Sequence, residues 1–279
     1  MSPRSPSTFA SAGDDSVTTE LLAHLRTKLE ARKLLVPYVM AGQPDRASFP
    51  DALVAVAKDA DAVEVGLPFS DPLMDGPVIA AAGERSIRAG VGPLDALEML
   101  PETPCPKVVM TYYNPIHRLG EAEFCARAAA AGVSGLIVPD LPLEESSSLR
   151  SAAAGRGLAW VPLVAPTSSP ERVTRIAETA TGFVYAVSTM GVTGTRDALS
   201  ASAAGVVGAC RMATDLPVLV GIGVSNSSQA VEAATEADGV VIGSAVVRRL
   251  LEEGASSAQA FLHDVRDALD SAFGARKAG

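Results

Sequence analysis

The chain has 279 residues, 48% of them hydrophobic and 20% charged, with a formal charge of −9 and a pI near 4.9. That supplies ample apolar surface for a core and fits a single (β/α)8 barrel, which takes about 250 residues. The acidic balance argues against nucleic acid, whose phosphates need basic patches, and no run of about 18 apolar residues is present to span a membrane. Small anions stay open, because helix N-termini bind phosphate through backbone amides.

Residues 1–17 are polar and lack the apolar centre of a secretory signal; they read as a disordered tail, and residues 18–279 as one domain. Leu21, Leu22, Leu25 and Leu29 recur at helical spacing over 20–32, with Thr18 or Thr19 placed to cap the helix. A buried strand is predicted over 35–41. Helix and strand then alternate: helix 47–58 and strand 62–67; helices 79–89 and 94–100 and strand 107–113; helix 122–131 and strand 135–138. The second half continues with helix 144–154 and strand 159–164, helix 171–179 and strand 183–187, helix 201–213 and strand 217–221, helix 227–235 and strand 239–242, and a last helix 258–273. Most strands are apolar throughout, as in parallel sheets covered on both faces. Eight such strands without a linker favour an α/β fold, a (β/α)8 TIM barrel with an extra N-terminal helix, over an open doubly wound sheet.

The stretch 62–77, AVEVGLPFSDPLMDGP, departs most from an ordinary strand and loop. Glu64 lies between Val63 and Val65, so it faces opposite to them, and the loop that follows presents further acids, among them Asp75. Barrel enzymes build their sites from strand C-termini and the loops after them. Glu64, Asp75, Tyr112, Asn114, Asp140 and Tyr185 all fall at that end. Each has a plain alternative: Glu64 could pair with a buried arginine, Asp75 could simply cap a turn, and Tyr112 and Tyr185 could be core aromatics.

Three glycine-bearing segments follow strands six to eight: GVTGTR from Gly191, GIGVSNSS from Gly221 and IGSAVV from Ile242. A helix starting at Ser244 would aim its N-terminal amides at the same place, so the three together predict a phosphate site, though each alone reads equally as a turn. Cys105, Cys125 and Cys210 match no metal-ligand spacing and read as free thiols of a reducing cytoplasm.

The segments LPFSDPLMDGP, MTYYNPI, IVPDLPLEE, MGVTGTR, VGIGVS and IGSAVV, in this order over 20–273, resemble the tryptophan synthase alpha chain family. The resemblance implies retro-aldol cleavage of indole-3-glycerol phosphate to indole and glyceraldehyde 3-phosphate. It implies an alpha2beta2 assembly with a beta chain that carries pyridoxal phosphate, this chain holding no cofactor or metal. It makes Glu64 and Asp75 the catalytic pair, Tyr185 an active-site tyrosine, and Thr193 a partner for Asp75 when its loop closes. Tyr112, Phe183, Gly194, Gly221, Gly223, Gly243 and Ser244 complete the expected substrate site. Two departures stand out: the connection PETPCP at 101–106 is short for the family, near surfaces used against the beta chain, and Gln43 replaces a smaller or acidic residue. A stand-alone lyase releasing free indole, or a non-catalytic phosphate-binding partner, are the alternatives.

Overall fold

Thr19 Oγ1 accepts from Leu22 N at 3.3 Å and donates to Thr181 O at 2.6 Å, capping helix α1 (Glu20–Leu29) and tying it to the barrel floor. The computed structural model describes residues 19–187, 196–221 and 223–274, with only the backbone described for 196–203. The expected tail at 1–17 lies outside them.

Chain order is β1 (Leu34–Met40), α2 (Phe49–Ala57), β2 (Val63–Gly66), α3 (Pro77–Arg88), α4 (Pro93–Glu98), β3 (Lys107–Met110), α5 (Tyr113–Leu119), α6 (Glu121–Ala130) and β4 (Val133–Ile137). A short 3-10 turn at Leu143–Glu145 leads to α7 (Ser147–Ala154), β5 (Ala159–Trp160), β6 (Leu163–Val164), α8 (Pro170–Ala177), β7 (Val184–Val187) and α9 (Arg196–Ala213). The chain then runs through β8 (Val218–Gly221), α10 (Ser227–Glu236), β9 (Gly239–Ile242), α11 (Ser244–Glu252) and α12 (Ala255–Phe273). All strand pairs are parallel, in the order β5-β4-β3-β2-β1-β9-β8-β7-β6.

The stretch predicted as one strand over 159–164 is β5 and β6, separated at Val161 and Pro162. Val161 N donates to Leu136 O on one side at 3.0 Å, whereas Pro162, having no N–H, accepts from Tyr185 N on the other at 3.0 Å. This stave therefore bonds to β4 with its first half and to β7 with its second, which closes the ring. The expected eight-stave TIM barrel is the observed one.

Two predicted boundaries need correction. The strand expected over 107–113 ends at Met110, and Tyr113 to Leu119 form a helix that the β-prone TYY obscured; Pro115 is tolerated there because it falls in the first turn. Helix α9 begins at Arg196, ahead of the expected 201.

Inside the barrel, Leu34, Val36, Ala62, Val108, Ile137, Ala159, Val161, Phe183, Leu219 and Val241 form a closed interior, and Leu21 and Leu25 of α1 plug it from below. Gly135 and Gly182 leave room for that plug, since a Cβ at either would lie 3.0–3.1 Å from Leu21 Cδ2. A second, larger shell between strands and helices includes Leu35, Val39, Phe49, Leu53, Val65 and Val109. At the floor, Asp61 is fully buried and accepts from Arg32 Nε (3.0 Å) and Nη2 (2.5 Å), Leu35 N (2.9 Å) and Arg266 Nη1 (3.3 Å), linking α1, β1 and α12.

Candidate active site

Strand register places Glu64 beside Tyr38 of β1 and Val108 of β3, so its side chain points into the barrel above the apolar interior. It is 1% exposed, and its Oε2 has no hydrogen-bond partner among the described residues. No arginine pairs with it there, in contrast to the plain alternative raised by the sequence. Burial, helped by the charge of Asp75, pushes the Glu64 carboxyl up to about 8. It is therefore mostly protonated near neutrality and can donate a proton.

Asp75 sits at the end of the loop after β2, just before Gly76 and Pro77 start α3. Tyr112 holds it: the phenol donates to Asp75 Oδ1 at 3.1 Å, accepts from Met74 N at 3.0 Å, and stacks on Phe69 with centroids 5.1 Å apart. Burial raises the Asp75 pKa while the Tyr112 hydrogen bond works to lower it. Tyr112 itself caps α5 instead of ending a strand, and burial raises its pKa far enough to keep the phenol a donor.

Tyr185 comes up on β7 and is half-buried; burial, then the Glu64 charge, raise its pKa well above the usual value. Phe183 shares its parity but is fully buried in the closed interior, its ring 6.4 Å from that of Tyr185, so it supports that side chain from below. Gly221 has a more local reason than an anion: a Cβ there would fall 2.5 Å from Tyr185 Oη. Gly223 adopts φ +71°, a left-handed conformation that favours glycine.

At the next strand end Gly243 caps α11. Val246 N and Val247 N both bond to Gly243 O, at 2.9 and 3.0 Å, and no side chain caps the helix. The amides of Ser244 and Ala245 thus have no acceptor within the helix and carry its positive end. Thr193 and Gly194 lie outside the described residues.

Asn114 and Asp140 sit farther out. Asp140 Oδ1 accepts from Tyr113 N at 2.9 Å and steadies the start of α5. Asn114, with Pro68, Phe69, Pro115, Arg118 and Leu119, lines a cavity of about 560 Å3 between the loop after β2 and α5. Gln43 is buried and ties the end of β1 to α3, donating to Ala82 O (3.1 Å) and Ser86 Oγ (2.8 Å). The short connection 101–106 enters β3 at its N-terminal end, where Lys107 Nζ bonds Pro101 O at 2.7 Å. It therefore lies at the opposite end of the barrel from Glu64 and Asp75. Sequence reasoning missed Tyr38, whose neighbours at the site come from register and not from nearby sequence.

The comparisons with known proteins follow this geometry. The family model described as "Tryptophan synthase alpha chain" matches residues 24–270, from within α1 to within α12. The chain belongs to the tryptophan synthase alpha chain family. Among tryptophan synthase alpha chains, that of Synechococcus elongatus is 42% identical over 258 residues, covering 90% of this chain and 96% of its own length. That of Streptomyces coelicolor is 47% identical over 230 residues, covering 81% and 85%. Among solved structures, tryptophan synthase from M. tuberculosis in its aminoacrylate-bound form superposes with a TM-score of 0.81 at 37% identity, over 90% of this chain and 99% of that one. The tryptophan synthase alpha barrel is thus matched along nearly its whole length.

Proposed function

We propose that this chain cleaves indole-3-glycerol phosphate to indole and glyceraldehyde 3-phosphate, as the alpha subunit of tryptophan synthase in L-tryptophan biosynthesis. The observation that carries the reading is a fully buried, unpaired carboxyl, Glu64, held near a second one, Asp75, on the rim of a barrel of this family.

In this mechanism Asp75, fixed by Tyr112, accepts the indole N–H and stabilises positive charge on the ring. The protonated Glu64 gives its proton to indole C3, forming the indolenine. The Glu64 carboxylate then takes the proton of the adjacent glycerol hydroxyl. The bond between C3 and the glycerol carbon breaks, its electrons return to the ring as indole, and the hydroxyl oxygen becomes the aldehyde oxygen. Such positioned acid–base groups contribute on the order of 10²–10⁴ in rate. Tyr112 and Tyr185 would wall the indole end, with Phe183 supporting Tyr185 from below. Gly221, Gly223, Gly243 and Ser244 would hold the phosphate against the free amides of α11, and Thr193 and Gly194 would close over the ligand. No step calls for a cofactor in this chain; pyridoxal phosphate belongs to the beta chain in this reading.

The partner in this reading is a beta chain in an alpha2beta2 assembly, and the compartment is the cytoplasm. Leu73 and Met74, 87% and 59% exposed on the loop after β2, are apolar side chains of the kind a partner covers. Purified chain incubated with indole-3-glycerol phosphate should release indole slowly alone and much faster with a tryptophan synthase beta chain. Release that is fast and indifferent to the beta chain would make it a stand-alone lyase, and no release at all would overturn the reading.

A further inference from the structure

Tyr38 and Tyr185 are packed by the same device on two sides of the site. Tyr38 of β1 is in register with Glu64 of β2, and a Cβ on Gly66, two residues farther along β2, would fall 1.9 Å from Tyr38 Oη. Tyr185 of β7 is in register with Leu219 of β8, and Gly221, two residues farther, stands in the same relation to Tyr185 Oη. Each phenol therefore leans across the neighbouring strand into the space that a glycine leaves. Only a residue without a side chain fits beneath.

The two differ in what they span. The Tyr38 ring begins beside Gly243, whose Cβ position is 3.7 Å from Tyr38 Cβ, and ends over the strand that carries Glu64. It thus bridges the free amides of α11 and the carboxyl pair. Tyr38 is 3% exposed, and its hydroxyl makes no hydrogen bond among the described residues. Glu64 Oε2 is fully buried and has no partner among the described residues. The charges of Asp75 and Glu64 both act on the Tyr38 phenol, which burial keeps protonated. A buried acceptor is almost always paired, so Glu64 Oε2, left open beside a phenol that leans over the same strand, points to a ligand that completes it.

We propose that Tyr38 is a substrate-contacting residue whose hydroxyl donates a hydrogen bond to the glycerol oxygen that Glu64 deprotonates. This rests on the cleavage reading above. With its lone pair engaged by Tyr38, that oxygen turns its own proton toward Glu64. As Glu64 takes the proton and the carbon–carbon bond breaks, negative charge gathers on the oxygen and the Tyr38 hydrogen bond strengthens. Tyr38 keeps its proton throughout, so the electron and proton balance of the cleavage is unchanged.

The test is Tyr38→Phe, which removes one oxygen and keeps the ring over Gly66. Indole release from indole-3-glycerol phosphate should fall in kcat by about 10- to 100-fold, with KM changing less than about threefold. Affinity for an indole-propyl phosphate that lacks the glycerol hydroxyls, measured by calorimetry, should stay within about twofold, because no hydroxyl is there to bond. A variant as active as the parent would overturn the Tyr38 role and leave the cleavage reading standing. Equal loss of affinity for the deoxy analogue would make the phenol a packing wall and overturn it too. If the parent releases no indole, the cleavage reading itself fails and this inference with it.

Discussion

Asp61 lies two residues before strand β2 and Glu64 within it, both buried, and the protein treats them in opposite ways. Asp61 meets two arginines and a backbone amide, so its charge is matched on every side. Glu64 meets no cation and keeps one oxygen unbonded. A buried carboxylate with counter-charges holds elements together, whereas one without them is left free to exchange a proton. The floor of the barrel is built for permanence and the rim for chemistry.

Replacing the rim carboxyl should have the largest effect on turnover. Glu64→Gln keeps the shape and removes the exchangeable proton, so indole release should drop by about 10²–10⁴ in kcat with the fold intact by circular dichroism. Turnover near that of the parent would break the contrast at its chemical end. At the structural end, Asp61→Ala strands Arg266 and Arg32 without their buried partner. Denaturant unfolding should show a loss of about 3–5 kcal/mol, with kcat per folded molecule changed less than about twofold. A variant of unaltered stability would mean that the floor cluster does not hold the barrel together.

The pH dependence of stability sharpens the same comparison. The folded pKa of Glu64, about 8, lies above its model-peptide value of 4.5. Its favourable contribution is therefore complete below about pH 4.5 and is lost as pH rises through about 8. Glu64→Gln should consequently gain stability over the parent as pH climbs across that window, by on the order of a few kcal/mol at its top. Parallel stability curves for the two proteins would contradict the buried, unpaired carboxyl. The smallest effect expected is that of Tyr112→Phe, which frees Asp75 from its one hydrogen-bonded phenol. Indole release should fall by about tenfold in kcat, and activity equal to the parent's would show that the phenol does not position Asp75.

Much of this was legible in the chain. An acid between two valines marks Glu64 before any fold is known, because alternation must bury it or turn the valines outward. The helix expected over 79–89 is α3, which begins two residues earlier, with Pro77 in its first turn. What could not be read depends on neighbours that register alone supplies. Gly221 reads in sequence only as a turn or anion-binding glycine, whereas the space it makes for Tyr185 comes from a neighbouring strand. Tyr38 carries no local signal because Gly66 and Gly243, which frame it, are brought close only by the pairing of β1 with β2 and β9. Two tyrosines of high β propensity hide the helix at Tyr113, whose first amide donates a hydrogen bond to Asp140 from a later loop.

The claim on which the rest depends is that Glu64 holds its proton at neutral pH. Infrared difference spectra of the parent against Glu64→Gln, titrated from about pH 5 to about pH 10, read that proton directly through the carboxyl stretching band. The account predicts a protonated-carboxyl band at neutrality that is absent from the variant and disappears with a midpoint near 8. A midpoint close to 4.5, the value of an ordinary glutamate, would contradict it.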